Sequence, residues 1–119
     1  MKLAILFGGA SYEHEISIVS AITVKGKLES SFDLNFIFCD QDHKSYLIDP
    51  SKMKAVTFSK GEHRKMDQIF MTNGGFEKSG LFGRKFYDMP ILNLIHGGDG
   101  EDGTIASMLD FYAINYIGP

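Results

Sequence analysis

Two stretches at opposite ends of this 119-residue chain share one pattern. Leu3 to Phe7 and Ile91 to Ile95 are short, almost wholly apolar runs without the in-and-out alternation of a half-exposed strand. Each runs into a glycine pair, Gly8-Gly9 in the first case and, after His96, Gly97-Gly98 in the second. Helical spacing resumes beyond each pair. A strand that is apolar on both sides must be covered on both faces, which is the situation of parallel strands flanked by helices. Strand, glycine turn and helix, written twice, therefore predict an α/β fold: a three-layer, Rossmann-like domain with a mostly parallel sheet and helices on both sides.

The remaining elements follow from local pattern. A helix is expected over residues 12–28, with Ile18, Ala21, Ile22 and Lys25 at i, i+3, i+4 and i+7, and Ile16, Val19 and Val24 widening its apolar face. Ser11 suits the N-cap, and Glu13 and Glu15 suit the positive end of the helix dipole. Phe32 to Cys39 reads as a second strand, completing a βαβ unit, and Ser45 to Ile48 as a short third. Residues 51–67 are polar and basic and read as a solvated surface segment with a short strand at Lys54 to Phe58. Ile69 to Met71, Phe76 and Leu81 to Phe86 suggest short strands joined by glycine turns, an antiparallel excursion from the main sheet. A helix from about Thr104 carries Ile105, Met108, Leu109 and Tyr112 on one face, and Asn115 to Ile117 forms a last strand. Ending at Gly118-Pro119, the chain reads as an exit toward another domain, so a piece of a longer protein is expected.

Composition narrows the function classes. Hydrophobic residues make up 44% and charged residues 23%, the balance of a globular domain that can bury one core. A net charge of −3 gives no footprint for nucleic acid. Met1-Lys2 precedes too short an apolar run for a signal peptide, and nothing approaches a membrane span. A cytoplasmic setting without membrane partners is expected. Cys39, the sole cysteine, lies in an apolar run and reads as a buried thiol. His43 and His63 stand in polar turns and are given no role.

Loops that follow parallel strands emerge at the carboxyl edge of the sheet, where ligands bind when strand order reverses. The first loop brings Glu13; the second brings His96 with Asp99, Glu101 and Asp102. Neither is a Walker A motif, and the dinucleotide fingerprint is not met. Adjacent Glu101 and Asp102 make a poor metal pair, and Asp102 equally suits an N-cap, so no metal ligands are assigned. The best chemical fit is a zwitterion. Glu13 would take an ammonium group through a charge-assisted hydrogen bond, and His96 with nearby amides would hold a carboxylate. The alternatives stay open at this point: Glu13 as a dipole partner only, His14 and Glu15 as solvated neighbours, His96 as a satisfied structural histidine.

The motifs carry a resemblance. Phe7-Gly8-Gly9-Ala10-Ser11-Tyr12-Glu13-His14-Glu15-Ile16-Ser17, with Ser20-Ala21 beyond it, resembles the opening signature of the D-alanine–D-alanine ligases. His96-Gly97-Gly98-Asp99-Gly100-Glu101-Asp102-Gly103-Thr104 closely matches their second signature, continued by Met108-Leu109 and Tyr116-Ile117-Gly118. Residues 42–88 carry no signature. The resemblance implies the N-terminal, pre-ATP-grasp domain of an ATP-grasp enzyme that joins two D-alanines for peptidoglycan synthesis. It implies that Glu13 binds and orients the ammonium of the first D-alanine as this segment's catalytic group. His96 would lie beside that substrate's carboxylate, Gly9 and Gly97 would let the backbone approach, and Ser17, one helical turn past Glu13, would belong to the same substrate-side set. It further implies ATP and Mg2+ bound by domains outside this chain, and a homodimer. Two other readings of the same residues are another ATP-grasp ligase, including one using D-lactate or D-serine second, and a stand-alone binding or dimerisation module.

Overall fold

The computed structural model describes residues 1–9, 14–80, 83–95 and 104–118. Strand β1 (Lys2–Gly8) leads to helix α1 (His14–Leu28) and strand β2 (Asp33–Cys39). Then come β3 (Ser45–Ile48), a short helix α2 (Ala55–Ser59) between two single 3-10 turns, and β4 (Asp67–Thr72), β5 (Gly75–Gly80) and β6 (Gly83–Tyr87). Strand β7 (Ile91–Asn93), helix α3 (Thr104–Phe111) and strand β8 (Tyr116–Ile117) close the order. Among the described residues the strands form an eight-stranded sheet in the order β6-β5-β4-β3-β2-β1-β7-β8.

The expected parallel arrangement holds for one half of that sheet. β1 pairs in parallel with β2 and with β7, and β7 with β8. From β2 outward every pairing is antiparallel. "Mostly parallel" is therefore corrected to a mixed sheet. The physical reason is connection length: the Asp40–Lys44 turn is too short to cross over the sheet, so β3 must return beside β2 in the opposite sense. The antiparallel excursion expected around residues 69–86 is present as β4–β6.

The three layers follow from alternation on β1 and β2. Leu3, Ile5, Phe7, Phe36 and Phe38 face one way and pack with Ile18 and Ala21 of α1 and Phe58 of α2. Ala4, Leu6, Ile37 and Cys39 face the other way and pack with Ile91, Ile95, and Ile105 and Leu109 of α3. Cys39 is buried as expected.

Three local expectations are corrected. Residues 54–58, with β-branched Val56 and Thr57, are not a strand; Lys54 is extended and α2 follows, because Thr57 and Phe58 are buried from a helical turn. The apolar face of α1 is narrower than the sequence suggests: Ser17, Ile18 and Ala21 are buried, whereas Ile16 and Val19 are 56% and 59% exposed. His63 does not stand in solvent; it is 4% exposed and packed against the rings of Phe38, Tyr46 and Phe58.

Candidate functional site

β1 is the point where chain direction across the sheet reverses, because β2 lies on one side of it and β7 on the other. The two glycine loops therefore leave the carboxyl ends of neighbouring parallel strands, the position at which doubly wound sheets hold ligands. The described residues give the bases of both loops. Glu13, His96 and Gly97 lie outside them, as do Ser11, Asp99, Glu101 and Asp102. In the sequence Glu13 directly precedes α1 and His96 directly follows Ile95.

Backbone geometry explains the first glycine pair. Gly8 and Gly9 have φ of +98° and +97°, a region L side chains rarely adopt. A Cβ on Gly8 would overlap the Cys39 carbonyl, and one on Gly9 would sit 2.7 Å from the Ile95 side chain. Gly9 thus packs directly against Ile95 at the base of the second loop. Its N–H donates to the Cys39 carbonyl at 2.7 Å. Its own carbonyl accepts from Nδ1 of His14 at 2.7 Å, which requires the proton on that nitrogen. The His14 ring also meets Phe38 edge-on at 5.2 Å.

Ser17 lies on the buried side of α1, fully enclosed. Its Oγ accepts the Gly8 N–H at 2.9 Å and donates to the Leu94 carbonyl at 2.6 Å. One hydroxyl thereby joins α1, the end of β1 and the segment after β7. Next to Leu94 the buried Asn93 carboxamide accepts the Ile95 N–H at 3.1 Å. Asn93 braces the base of the second loop, a contribution that the sequence reading missed; its signal is a lone polar side chain inside an apolar strand.

Behind Phe38, both ring nitrogens of His63 are buried without a hydrogen-bond partner among the described residues. Burial, reinforced by Arg64 and opposed by Asp40, with a smaller push from His14, holds its pKa below the ordinary histidine range. A cleft of about 760 Å³ opens beside the start of α1, between His14, Glu15 and Ile18 and the Val56, Phe58 and Arg64 side chains. Among the described residues no group of three or more His, Cys, Asp or Glu is placed to hold a metal ion, and none of the described helices is long and apolar enough to cross a membrane.

This geometry defines a class: an α/β domain with a mixed sheet, whose two glycine loops start from neighbouring parallel strands at the reversal point of strand order. The family model for the D-ala D-ala ligase N-terminus matches residues 2–119, and the chain belongs to that family. A D-alanine–D-alanine ligase of Sulfurimonas denitrificans is 66% identical over 119 residues, covering all of this chain and 34% of the relative. A D-alanine–D-alanine ligase of Helicobacter pylori is 48% identical over 120 residues, with the same coverage of each chain. The crystal structure of D-Alanine-D-Alanine Ligase from Helicobacter pylori superimposes with a TM-score of 0.89 at 47% identity, across all of this chain and 36% of that one. The VanG D-Ala:D-Ser ligase of Enterococcus faecalis shares the fold, with a TM-score of 0.81 at 24% identity over 98% of this chain and 35% of its own. The chain thus spans about a third of the length of the curated relatives it matches.

Proposed function

We propose that residues 1–119 are the substrate-side N-terminal domain of an ATP-dependent D-alanine–D-alanine ligase, acting in peptidoglycan synthesis in the cytoplasm. The observation that carries this reading is the family match across residues 2–119, together with a relative named D-alanine–D-alanine ligase that is 66% identical over the whole chain. The fold supports it, because the loops that contain Glu13 and His96 start from adjacent parallel strand ends. Glu13 holds and orients the ammonium of the first D-alanine, and His96 lies beside its carboxylate. Gly9 and Gly97 admit the substrate close to the backbone, and Ser17 supports the same site. ATP supplies the phosphoryl group that activates the first substrate's carboxylate. Nucleotide and metal are assigned to the rest of the protein, as the resemblance to the ATP-grasp ligases implies. The remaining ATP-grasp domains and a second copy of the protein are its partners.

The decisive test is kinetic. The full-length protein carrying this chain is expected to form D-Ala-D-Ala with ATP, and the 119-residue chain alone to form none. Glu13→Gln removes a charge-assisted pair worth about 1.5–3 kcal/mol, so kcat/KM for the first D-alanine should fall by about 10- to 150-fold. A parent enzyme that makes no dipeptide overturns the ligase reading. A Glu13→Gln enzyme with parental kinetics overturns the role of Glu13.

A further inference from the structure

A serine hydroxyl has one proton to donate and two lone pairs to accept with. At Ser17 the proton is committed to the Leu94 carbonyl at 2.6 Å and one lone pair to the Gly8 N–H at 2.9 Å. The side chain is 0% exposed. Serines inside helices commonly bond back to a carbonyl of their own preceding turn. This one instead bonds 9 residues back along the chain and 77 residues ahead. Both partners lie at the roots of the glycine loops.

Further bonds hold each loop base. In the first, Gly9 donates to Cys39 and accepts from His14. In the second, Leu94 N–H donates to the Leu6 carbonyl at 2.7 Å and Ile95 N–H to Asn93 Oδ1 at 3.1 Å. Backbone pairing between the two strands thus reaches as far as Leu94 N–H. There the Ser17 hydroxyl ties the Leu94 carbonyl to Gly8 and to α1.

We propose that Ser17 is a positioning residue: its enclosed hydroxyl sets the separation of the two loop bases, Gly8 and Leu94, from which the chain continues into the proposed site for the first D-alanine. Ser17 acts through its two neighbours and does not touch substrate. This inference rests on the ligase reading and refines it. Misplacing a reacting group by about 1 Å costs about 100-fold in rate, which sets the scale of the expected effect.

The test uses the full-length protein with Ser17→Ala. The expected result is a fall of about 10- to 100-fold in kcat/KM for the first D-alanine, with KM for ATP within about twofold of the parent. Amide exchange at Gly8 should quicken by about tenfold, the equivalent of about 1.4 kcal/mol and within the range of one hydrogen bond. A D-alanine kcat/KM within twofold of the parent overturns the proposal, as does unchanged Gly8 protection. A loss shared equally between D-alanine and ATP, and matched by lost folded protein, also overturns it in favour of a purely structural role. Should Ser17→Ala not fold, Ser17→Cys keeps the shape with a weak donor and is read by the same measures. If the parent enzyme forms no dipeptide, the ligase reading fails, while Gly8 exchange still decides whether the staple exists.

Discussion

The two halves of the sheet are built by different rules. In β1, β2 and β7 the strands are apolar runs enclosed between helices, and the carboxyl ends of β1 and β7 lead into the charged and glycine-rich motifs. From β3 to β6 the strands pair antiparallel and mix buried with open positions; β4, β5 and β6 follow one another through short connections, whereas β3 reaches β4 through the segment that contains α2. β4, for example, buries Ile69 and leaves Phe70 exposed. The parallel half places a site, because crossover connections return every strand in one direction and align their ends. The antiparallel half extends the sheet and covers one edge of the core, and none of the sequence signatures falls within it. The enclosed strands and the sequence signatures therefore fall in the same half.

The comparison breaks most visibly at the aromatic cluster behind the first loop. Phe38 is 1% exposed and meets Phe7, Phe58, His14 and His63 at ring-centroid distances between 4.6 and 5.3 Å. Phe38→Ala is expected to lower unfolding free energy by about 3–5 kcal/mol. Phe70→Ala, at a position 57% exposed on β4, should stay within about 0.5 kcal/mol. Urea unfolding of both variants measures the contrast, and equal losses would erase the distinction between the halves.

A smaller effect, confined to acid, comes from His63. Its folded-state pKa lies below the unfolded value of about 6.5, so the folded protein refuses a proton that the unfolded chain accepts. The associated stability is present above about pH 6.5 and is lost as pH falls below it, down to the depressed folded-state pKa. Asp40, Arg64, His14 and Tyr46 are the titratable or charged groups that face it. His63→Phe fills the ring position without a group to protonate. Between pH 7 and 5.5 the parent should lose more melting temperature than this variant, and parallel curves would remove His63 from the acid response.

The smallest effect belongs to the outer strands. Lys78 of β5 bonds Asp67 of β4 at 2.9 Å on an open surface. Lys78→Ala should shift melting temperature only slightly, and high salt should abolish the difference. A large, salt-independent loss would show that the antiparallel half is tied more tightly than its exposed ion pair suggests.

How legible this was depends on range along the chain. The runs at 3–7, 32–39 and 91–95 declared themselves as strands because a buried strand needs nothing but apolar residues over a short span. The start of the last helix at Thr104 and the antiparallel excursion were visible for equally local reasons. Residues 54–58 misled because Val56, Thr57 and Phe58 suit a strand by propensity, and burial of Thr57 and Phe58 overrode it. His63 misled because its neighbours in sequence are charged while its neighbours in space are aromatic. Ser17 carried a signal, since it stands four residues before Ala21 and so shares that helix's buried face. A small polar residue there asks for a partner, but its sequence neighbourhood does not name one.

The sequence alone determined most kinds of element and the two glycine motifs, because strand burial, turn geometry and helix starts are encoded within a few residues. Only the tertiary structure decided which strands are neighbours, that half the sheet runs antiparallel, and that a single hydroxyl joins residues 77 positions apart. Such pairings depend on how the intervening segment returns through space. Local pattern contains no term for that return, and the packed core supplies it.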